Sequence, residues 1–577
     1  MKLTEALKVL QAASGSDSPA FPVLLACGFT PLHLQTFLAA HLQSALPGHH
    51  VTVQTGLYGD LDGSLAGAGS GGPSAVVAPI EWPDIDPRLG WRQLGGWGPA
   101  ELKDIGADAA ARLDRIRDRI ETVAEKRQVA VSLPTLPLPP VGFTPRGQAG
   151  AFELEIREAI ARFSAALARC SNVRMVSAAA LDEISPSSER FDFKSELLTG
   201  FPYKQPHADK LAELLAGVLA PPSPKKGLIT DLDDTLWCGL VGEVGAENIC
   251  WDLERHAQIH GLYQQVLKAL ADQGALIGVA SKNDPRVVEE ALRRSDLLLP
   301  ADRVFPIEVH WNRKSESIAR ILRAWNIAAD SVVFVDDSPM ELAEVATAYP
   351  DIECILFPKQ DYAAAYDIFR RLRDLFGKPF LSSEDALRSA SLRAGGEFQE
   401  ELSRADDDPD RFLAQADAVL EVRVAKDAGD RRAFELINKT NQFNLNGVRL
   451  TEQEWRSHLD RPGSFVFTVG YQDKYGALGK IAVIAGEAGN ECRVGAWVMS
   501  CRAFARRIEH KCLELLFDRL DAPAIRFDFQ PTTRNGPFRD FLDVYTDGIT
   551  KPDASISHER FLEKCPTLFH RVMIVSD

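Results

Sequence analysis

The sequence lacks long apolar runs, paired cysteine motifs and an excess of basic residues. No apolar stretch is long enough for a membrane-spanning helix, and the amino-terminal segment has no long apolar signal-peptide core. The nine cysteines are odd in number and scattered, and no CxxC pair occurs, so neither a disulfide framework nor a zinc site is expected. These absences predict a cytoplasmic protein with free thiols.

Acidic residues outnumber basic ones, with 81 Asp and Glu against 65 Lys and Arg, so the formal net charge is −16. A surface of this sign disfavours phosphate backbones and anionic lipids, and we expect no nucleic-acid partner and no membrane partner. The negative net charge does not exclude a local basic pocket.

The length of 577 residues exceeds what one hydrophobic core supports, so three or more domains are expected. Two segments containing proline, glycine and polar residues mark the boundaries, namely Leu219–Gly227 and Phe376–Asp385. We therefore predict domains at residues 1–222, 225–376 and 380–577.

Strand-like apolar runs alternate with helical patterns in the first two predicted domains, which indicates α/β folds with doubly wound parallel sheets. The third predicted domain has helices and strands in a mixed order and is expected to be α+β. The predicted class is therefore α/β, with a central Rossmann-like sheet flanked by a second α/β domain and an α+β domain.

Polar residues follow each predicted strand of the central domain. The stretch GLITDLDDTLWCG places three aspartates within four residues, directly after an apolar run. Ligands sit at the carboxyl ends of strands in such sheets, so side chains from several strand ends should converge there. The converging residues are Asp231, Asp233, Ser281, Lys314, Asp336 and Asp337.

Carboxylate oxygens are hard ligands that suit Mg²⁺, which binds one or two carboxylates together with phosphate oxygens. A lysine and a hydroxyl would hold a phosphate and offset its charge. The structural alternative is a solvated turn of aspartates with a loop hydroxyl and a surface lysine nearby. The residues therefore predict a Mg²⁺-dependent phosphoryl site, with the solvated turn as the alternative.

The order of DLDDT, Ser281, Lys314 and DD resembles the haloacid dehalogenase (HAD) superfamily of phosphotransferases. The resemblance implies that Asp231 is the nucleophile and Asp233 the general acid/base. It implies a phosphate-binding set of Thr235, Ser281 and Lys314, and a Mg²⁺ set of Asp231, Asp233, Asp336 and Asp337. Asp234 receives no role beyond that of a turn or surface carboxylate.

The longer stretch DLDDTLWCGLVGEVG resembles the FkbH-like branch of the superfamily, subfamily IIIC. Further stretches agree with it, at Asp336–Val345, Ile437–Leu450, Trp497–His510 and Pro531–Leu542. The resemblance implies that 1,3-bisphosphoglycerate loses phosphate and that the glyceryl unit reaches an acyl carrier protein as a thioester, in polyketide-type biosynthesis. The departures from the usual pattern are Asp234, Cys238 and Val244. The last two lie in a short glycine-bearing flap, WCGLVGEVGAENICW at residues 237–251.

A thioester route needs a nucleophilic thiol. Cys501 is the candidate, because Arg502, Arg506 and Arg507 follow it, and nearby cations favour the thiolate and attract an acidic carrier protein. The alternative is a buried structural cysteine at a strand end. Cys238 is a weaker candidate, because the neighbouring aspartates would raise its pKa.

The third domain also resembles the GCN5-related acetyltransferase fold, but the usual glycine-rich pyrophosphate loop is missing. A phosphopantetheine arm therefore fits better than acetyl-CoA. Asn441, Gln442 and Asn444, together with Arg502, are candidate contacts for a substrate or carrier. The amides could equally cap a helix end and build the following loop.

The first domain resembles an SGNH-hydrolase-like domain that has lost its catalytic residues. The turn ACGFT has no serine, and Lys204 stands where an aspartate should precede His207. We predict a non-catalytic domain in which His207 is a surface or capping residue. Trp82, Trp91 and Trp97 would form either a docking patch or part of an interdomain core.

Three functions remain open at this stage. The first is an FkbH-like enzyme that delivers a glyceryl group to an acyl carrier protein. The second is a plain Mg²⁺-dependent phosphatase acting on a small phosphorylated metabolite. The third is a non-catalytic HAD-fold binding protein, against which the intact Asp231 and Asp233 pair argues, since a binding module needs no acid/base.

Overall fold

The computed structural model describes most of the chain. The described residues are 1–14, 18–68, 72–94, 97–145, 147–378, 394, 398, 401, 409–427, 429–440, 442–489, 492–547 and 552–575. Most of the predicted boundary at Phe376–Asp385 lies outside them, as does Asn441. The chain divides into two compact units, Met1–Ser223 and Pro224–Asp577.

The first unit is built on a wholly parallel five-stranded sheet of order β2-β1-β3-β4-β5. Its strands are β1 (Ala20–Leu25), β2 (His50–Thr55), β3 (Ala75–Pro79), β4 (Gln128–Ser132) and β5 (Val173–Met175). Its helices are α1 (Leu3–Ala13), α2 (Leu32–Ala45), α3 (Leu61–Ala68), α4 (Trp82–Ile85), α5 (Leu102–Ala124), α6 (Ala151–Leu167), α7 (Ala178–Ile184), α8 (Phe193–Thr199) and α9 (Gln205–Leu219).

Both faces of this sheet are covered. Side chains alternate along β3, so that Val76 and Ala78 belong to one apolar cluster while Ala75 and Val77 belong to another. The strand order is that of flavodoxin-like doubly wound sheets, with the switch point between β1 and β3. The predicted α/β class of this unit is confirmed.

The second unit begins with another wholly parallel five-stranded sheet, of order β10-β9-β6-β7-β8. Its strands are β6 (Gly227–Thr230), β7 (Leu276–Ser281), β8 (Val304–Val309), β9 (Val332–Asp336) and β10 (Glu353–Leu356). Its helices are α10 (Val241–Val244), α11 (Gln258–Asp272), α12 (Pro285–Leu292), α13 (Lys314–Trp325), α14 (Pro339–Ala348) and α15 (Tyr362–Phe376).

The switch point of this second sheet lies between β6 and β9, because the chain passes from β6 to β7 and β8 and then returns to the other side of β6. The residues of β6, β7 and β9 are all buried, as expected for parallel strands covered on both faces. The predicted central doubly wound sheet is confirmed.

The remainder of the second unit is a mixed sheet of order β17-β16-β15-β14-β13-β11-β18, with β12 paired to β15. Its strands are β11 (Val419–Val424), β12 (Phe443–Asn444), β13 (Ser464–Asp473), β14 (Gly476–Glu487), β15 (Cys492–Met499), β16 (Ala524–Phe527), β17 (Ala554–Ser557) and β18 (Arg571–Val575). Its helices are α16 (Pro409–Ala414), α17 (Arg431–Lys439), α18 (Glu452–Asp460), α19 (Ile508–Leu520), α20 (Gly536–Thr546) and α21 (His558–Lys564).

Short 3₁₀ turns occur at Pro87–Leu89, Ser187–Glu189, Ala301–Arg303, Ala329–Ser331 and Cys501–Ala503. Within the described ranges, no helix combines the length and the apolar character needed to cross a membrane.

His207 is not the surface residue that the sequence led us to expect. It is fully buried, and its Nε2 and Nδ1 atoms lie 3.0 Å from Thr135 Oγ1 and 2.9 Å from Ser185 Oγ. Burial lowers the pKa of His207 to about 3, so the ring is neutral. The expectation was wrong because polar neighbours that are distant in sequence satisfy both ring nitrogens.

Trp91 and Trp97 pack against aromatic rings of the first unit. Trp91 lies 5.2 Å from Trp97 and 5.9 Å from Phe191, measured between ring centroids. Trp82 is buried and donates a hydrogen bond from Nε1 to the carbonyl oxygen of Leu136. These side chains therefore help to build the first unit itself.

Helix α13 packs unusually close to the second sheet. Its last residue, Trp325, is buried, and a Cβ added to Gly227 or Gly278 would lie 2.5 Å or 2.8 Å from the Trp325 ring. Trp325 Nε1 also donates to the carbonyl oxygen of Phe305 at 2.7 Å. Glycines on β6 and β7 thus allow the close approach that fixes α13, which begins with Lys314.

Replacing Gly278 by alanine is expected to destabilise the second unit by about 1–3 kcal/mol, because the new methyl group would overlap the Trp325 ring. Urea denaturation followed by tryptophan fluorescence measures this change. Gly536→Ala is the matched control, since a Cβ at that position meets nothing within 4 Å. Wild-type stability of Gly278→Ala would contradict this description of the packing.

Candidate phosphoryl-transfer site

Four of the residues singled out by the sequence lie at the carboxyl edge of the second sheet. Asp231 follows β6, Ser281 ends β7, Asp336 ends β9, and Lys314 begins α13. Strands β6 and β9 are neighbours, and the Asp231 N–H donates to the Val335 carbonyl at 3.0 Å. The site therefore lies at the switch point, where doubly wound sheets bind ligands.

The Lys314 ammonium is the centre of this arrangement. It is buried, and its Nζ lies 2.6 Å from Asp231 Oδ1, 2.6 Å from Asp336 Oδ2 and 2.8 Å from Glu341 Oε2. Burial alone would lower the pKa of Lys314, but the three carboxylates raise it well above its usual value. The lysine is therefore charged and offsets the repulsion among the acids.

Three carboxylates form a group that can hold a cation. Single oxygens of Asp231, Asp336 and Asp337 all lie within 4.8 Å of one another. Burial raises the pKa of Asp231 to about 7 and also raises that of Asp336, and a divalent cation would favour their ionised forms. This all-oxygen donor set fits Mg²⁺.

Asp233 is not one of these three clustered carboxylates, so its place in the expected Mg²⁺ set stays a prediction. Its Oδ1 accepts hydrogen bonds from Trp237 Nε1 at 2.9 Å and from the Val241 N–H at 3.1 Å, and its Oδ2 accepts one from Asn283 Nδ2 at 2.9 Å. The flap that follows β6 supplies the first two donors, so Asp233 is aimed at the flap. This placement suits an oriented acid/base better than a metal ligand.

Ser281 and Thr235 differ in what they offer to a phosphate. The Ser281 hydroxyl is buried at the end of β7 and makes no hydrogen bond within the described ranges of the chain. The Thr235 hydroxyl is fully buried and has no partner among the described residues, while the Thr235 carbonyl accepts a hydrogen bond from His260 Nδ1 at 2.9 Å. Ser281 stands at the sheet edge, whereas Thr235 lies inside the loop.

Asp234 is a turn residue, as the sequence suggested. Its φ is +51°, its Oδ1 accepts from the Gly239 N–H at 2.8 Å, and its Oδ2 pairs with Lys359 Nζ at 2.9 Å. Lys359 also lies 2.5 Å from Asp337 Oδ2. This lysine therefore places a second positive charge beside the carboxylates.

Sequence reasoning missed Glu341 and Lys359. Glu341 contacts both Lys314 and Lys282, the latter at 3.0 Å. Lys359 follows β10, and the strand-end rule applied to that last strand would have found it. Glu341 lies in the first turn of α14, a few residues after Asp336 and Asp337. This closeness in sequence to the two aspartates could have identified it.

The environment of Cys501 does not favour a thiolate. Burial raises the pKa of the thiol despite the neighbouring Arg502, and Sγ lies 3.9 Å from the Asn326 carbonyl oxygen. Arg506 is buried against Asp473 at 3.1 Å, and Arg507 pairs with Asp410 at 2.6 Å. Two of the three arginines that were expected to activate Cys501 therefore form ion pairs with aspartates.

Cys501 also lies far from the carboxylates. Asn326, which it contacts, is the C-cap directly after α13, whereas Lys314 begins this 12-residue helix. A helix of that length spans roughly 18 Å. The thiol and the phosphoryl site are thus at opposite ends of α13, which the sequence could not indicate.

Gln442, Asn444 and Arg502 each make hydrogen bonds within the protein, and their contacts with a substrate or carrier stay predictions. Gln442 and Asn326 exchange side-chain amide hydrogen bonds of 3.1 Å and 3.4 Å. Asn444 is buried and accepts from the N–H groups of Asn446 and Gly447, so it builds the loop. Arg502 Nε donates to Ser500 Oγ at 3.2 Å.

No family model and no curated protein matches the sequence. One similar structure is the N-terminal part of a Bacteroides fragilis protein containing a phosphatase domain complexed with Mg, with 19% identity, coverage of 65% of this chain and 99% of that chain, and a TM-score of 0.49.

Another is a fungal multi-domain GH3 β-N-acetylglucosaminidase with a GCN5-related glucosamine N-acetyltransferase region. It has 10% identity, coverage of 94% of this chain and 66% of that chain, and a TM-score of 0.16. Both TM-scores lie below 0.5, so the assignment of the fold rests on the strand order and the geometry described above.

Asp337→Asn is expected to weaken Mg²⁺ binding about tenfold or more, because it removes one of the three clustered carboxylates. Isothermal titration calorimetry with MgCl₂ measures this affinity. Asp351→Asn makes the same change at an exposed position and should bind like wild type. Equal affinities of the two variants would remove Asp337 from the cation site.

Lys314→Met, studied in EDTA, is expected to lose about 3–5 kcal/mol of stability at pH 8, because three carboxylates then lack their cation. The loss should shrink at pH 5. Burial raises the pKa of Asp231 in the folded state above its unfolded-state value. The folded state therefore binds more protons than the unfolded state between these two pKa values, so the variant gains stability as the pH falls.

Urea denaturation at the two pH values tests this prediction. The control is Lys268→Met, which breaks only an exposed pair with Asp272 and should change stability by less than about 1 kcal/mol. A pH-independent loss in Lys314→Met would mean that the carboxylates do not depend on the lysine.

Proposed function

We propose that the second unit is a Mg²⁺-dependent phosphatase of the HAD type that acts on a small phosphorylated substrate. The observation that carries this proposal is the buried Lys314 ammonium, which joins Asp231 and Asp336 at the switch point beside Asp337. The buried Ser281 hydroxyl lies at the same edge and makes no hydrogen bond to any described residue.

The nucleophile in this proposal is Asp231. Lys314 holds its Oδ1, which leaves Oδ2 to attack phosphorus. The bond between phosphorus and the leaving oxygen breaks as the aspartyl-phosphate forms. Lys314 and the Ser281 hydroxyl hold the phosphoryl oxygens, and bound Mg²⁺ supplies further charge neutralisation at those oxygens.

The acid/base is Asp233. Protonated Asp233 gives its proton to the leaving oxygen and, as a carboxylate, takes one from the water that then cleaves the aspartyl-phosphate. Phosphate leaves and Asp231 is regenerated. Hydrogen bonds from Trp237, Val241 and Asn283 hold the Asp233 side chain in one orientation for both steps.

The more specific proposal is that the substrate is 1,3-bisphosphoglycerate or a related acyl phosphate, and that an acyl carrier protein receives the glyceryl group. The support is the FkbH-like sequence of the flap and of the stretches in the mixed-sheet region. A glyceryl thioester carries neither phosphate, so both must leave. Asp231 would remove the phosphate ester, and attack of a thiol on the acyl carbon would displace the other phosphate.

The separation of Cys501 from Asp231 bears on which thiol performs that second step. A phosphopantetheine thiol on a mobile arm can reach an acyl group at the carboxyl edge, whereas Cys501 lies at the other end of α13. The burial of Cys501 equally favours the second candidate function, a plain phosphatase without acyl transfer.

Asp231→Asn is expected to reduce Mg²⁺-dependent phosphate release from 1,3-bisphosphoglycerate about 10²-fold or more, because the nucleophile is lost. Cys501→Ser should release phosphate at the wild-type rate. Phosphate release, together with intact-mass spectrometry of the enzyme and an added acyl carrier protein, measures both outcomes. Asp351→Asn serves as the charge-matched control.

A glyceryl adduct on the carrier protein would support the more specific proposal, and phosphate release without an adduct would leave the plain phosphatase. Wild-type phosphate release from Asp231→Asn would contradict both.

A further inference from the structure

The first unit contains a solvent-open cavity at the carboxyl edge of its own sheet. Residues after β1, such as Phe29, line it together with residues after β3, such as Glu81, and residues after β4, such as Leu136. This is the β1/β3 switch point, the place where a flavodoxin-like sheet binds ligands. The phosphoryl chemistry assigned to the second unit makes no use of it.

The wall of this cavity is largely aromatic and aliphatic. An apolar lining with few polar groups is typical of small-molecule sites. Its aromatic and large aliphatic members are Phe29, Trp82, Leu89, Trp91, Leu136 and Phe191.

The ionisable side chains in the lining are carboxylates alone, those of Glu81, Asp84 and Glu196. Glu81 Oε1 accepts from Thr135 Oγ1 at 2.6 Å and from the Tyr203 hydroxyl at 2.9 Å. Asp84 Oδ2 accepts from the Glu81 N–H at 2.9 Å. These two carboxylates are held in place by protein donors.

Glu196 differs from them. The residue is 7% exposed, yet no donor in the described part of the chain forms a hydrogen bond with its carboxylate. Burial raises its pKa, and the nearby Arg92 only partly opposes this. A buried acceptor at a cavity wall without a donor is an open position for a ligand's N–H or O–H group.

The cavity is equipped for binding and not for hydrolysis. The Cys27 thiol donates to the Phe29 carbonyl at 3.2 Å, and burial raises its pKa to about 12. A side chain at Gly28 would place its Cβ 1.8 Å from Asp84 Oδ1, so no serine fits there. His207 has both ring nitrogens engaged by Thr135 and Ser185.

We propose that this cavity binds a small ligand that carries a primary ammonium group on an apolar body, with the ammonium group on Glu196. The ammonium supplies the donor that Glu196 lacks, and its charge complements a lining whose ionisable groups are all acidic. The faces of Trp91 and Trp82 attract cations and bury the apolar body. A neutral alcohol would supply a hydrogen-bond donor without the positive charge. Comparing the two ligands therefore separates the effect of the charge from that of the hydrogen bond.

The test is calorimetric titration of the full-length protein with 2-phenylethylammonium, and with 2-phenylethanol as its neutral isostere. We expect saturable binding of the ammonium, and binding of the alcohol at least about tenfold weaker. Glu196→Gln should weaken ammonium binding at least about tenfold while leaving alcohol binding unchanged. Trp91→Leu should weaken both ligands.

Glu189→Gln is the matched control, because it removes the same charge from an exposed residue near in sequence and should bind like wild type. Circular dichroism and thermal unfolding establish that each variant is folded. Absence of ammonium binding to wild type, equal binding of the two ligands, or unchanged ammonium binding in Glu196→Gln would each overturn the proposal. The phosphatase activity of the second unit is a separate readout, so failure here leaves the proposed function standing.

Discussion

The candidate phosphoryl site depends on one buried ion cluster, in which the Lys314 ammonium contacts Asp231, Asp336 and Glu341. Without this cation, the acids at the sheet edge would repel one another and resist burial. The position of the ammonium depends in turn on α13, which the contact between Trp325 and the glycines of β6 and β7 holds against the sheet. Packing at one end of the helix therefore sets the charge geometry at the other.

Helix α13 also separates two regions that the sequence joined in one hypothesis. Its first residue takes part in the phosphoryl site, while Asn326 at its end contacts Gln442 and Cys501. Phosphoryl chemistry and any acyl chemistry at Cys501 would thus be separated by roughly the length of the helix. A carrier-borne thiol fits this arrangement, because a flexible arm does not need a cysteine beside Asp231.

Much of the fold followed from the alternation of strands and helices, and the convergence of Asp231, Ser281, Lys314 and Asp336 followed from the rule that ligands bind at strand ends. Burial and long-range pairing were beyond the sequence. His207 gained two hydroxyl partners from distant segments, and Arg506 and Arg507 paired with acids instead of activating Cys501. Asn441 lies outside the described residues, and its predicted contact stays a prediction.

The most direct test of the central claim is to locate the phosphoryl group on the protein. After rapid acid quenching of the Mg²⁺-loaded enzyme with substrate, peptide mass spectrometry should find a phosphorylated peptide whose modified residue is Asp231. The adduct should form in the wild-type enzyme and should be absent from Asp231→Asn, which lacks the nucleophile. Phosphate release without any adduct on Asp231, or an adduct that persists in Asp231→Asn, would contradict the account.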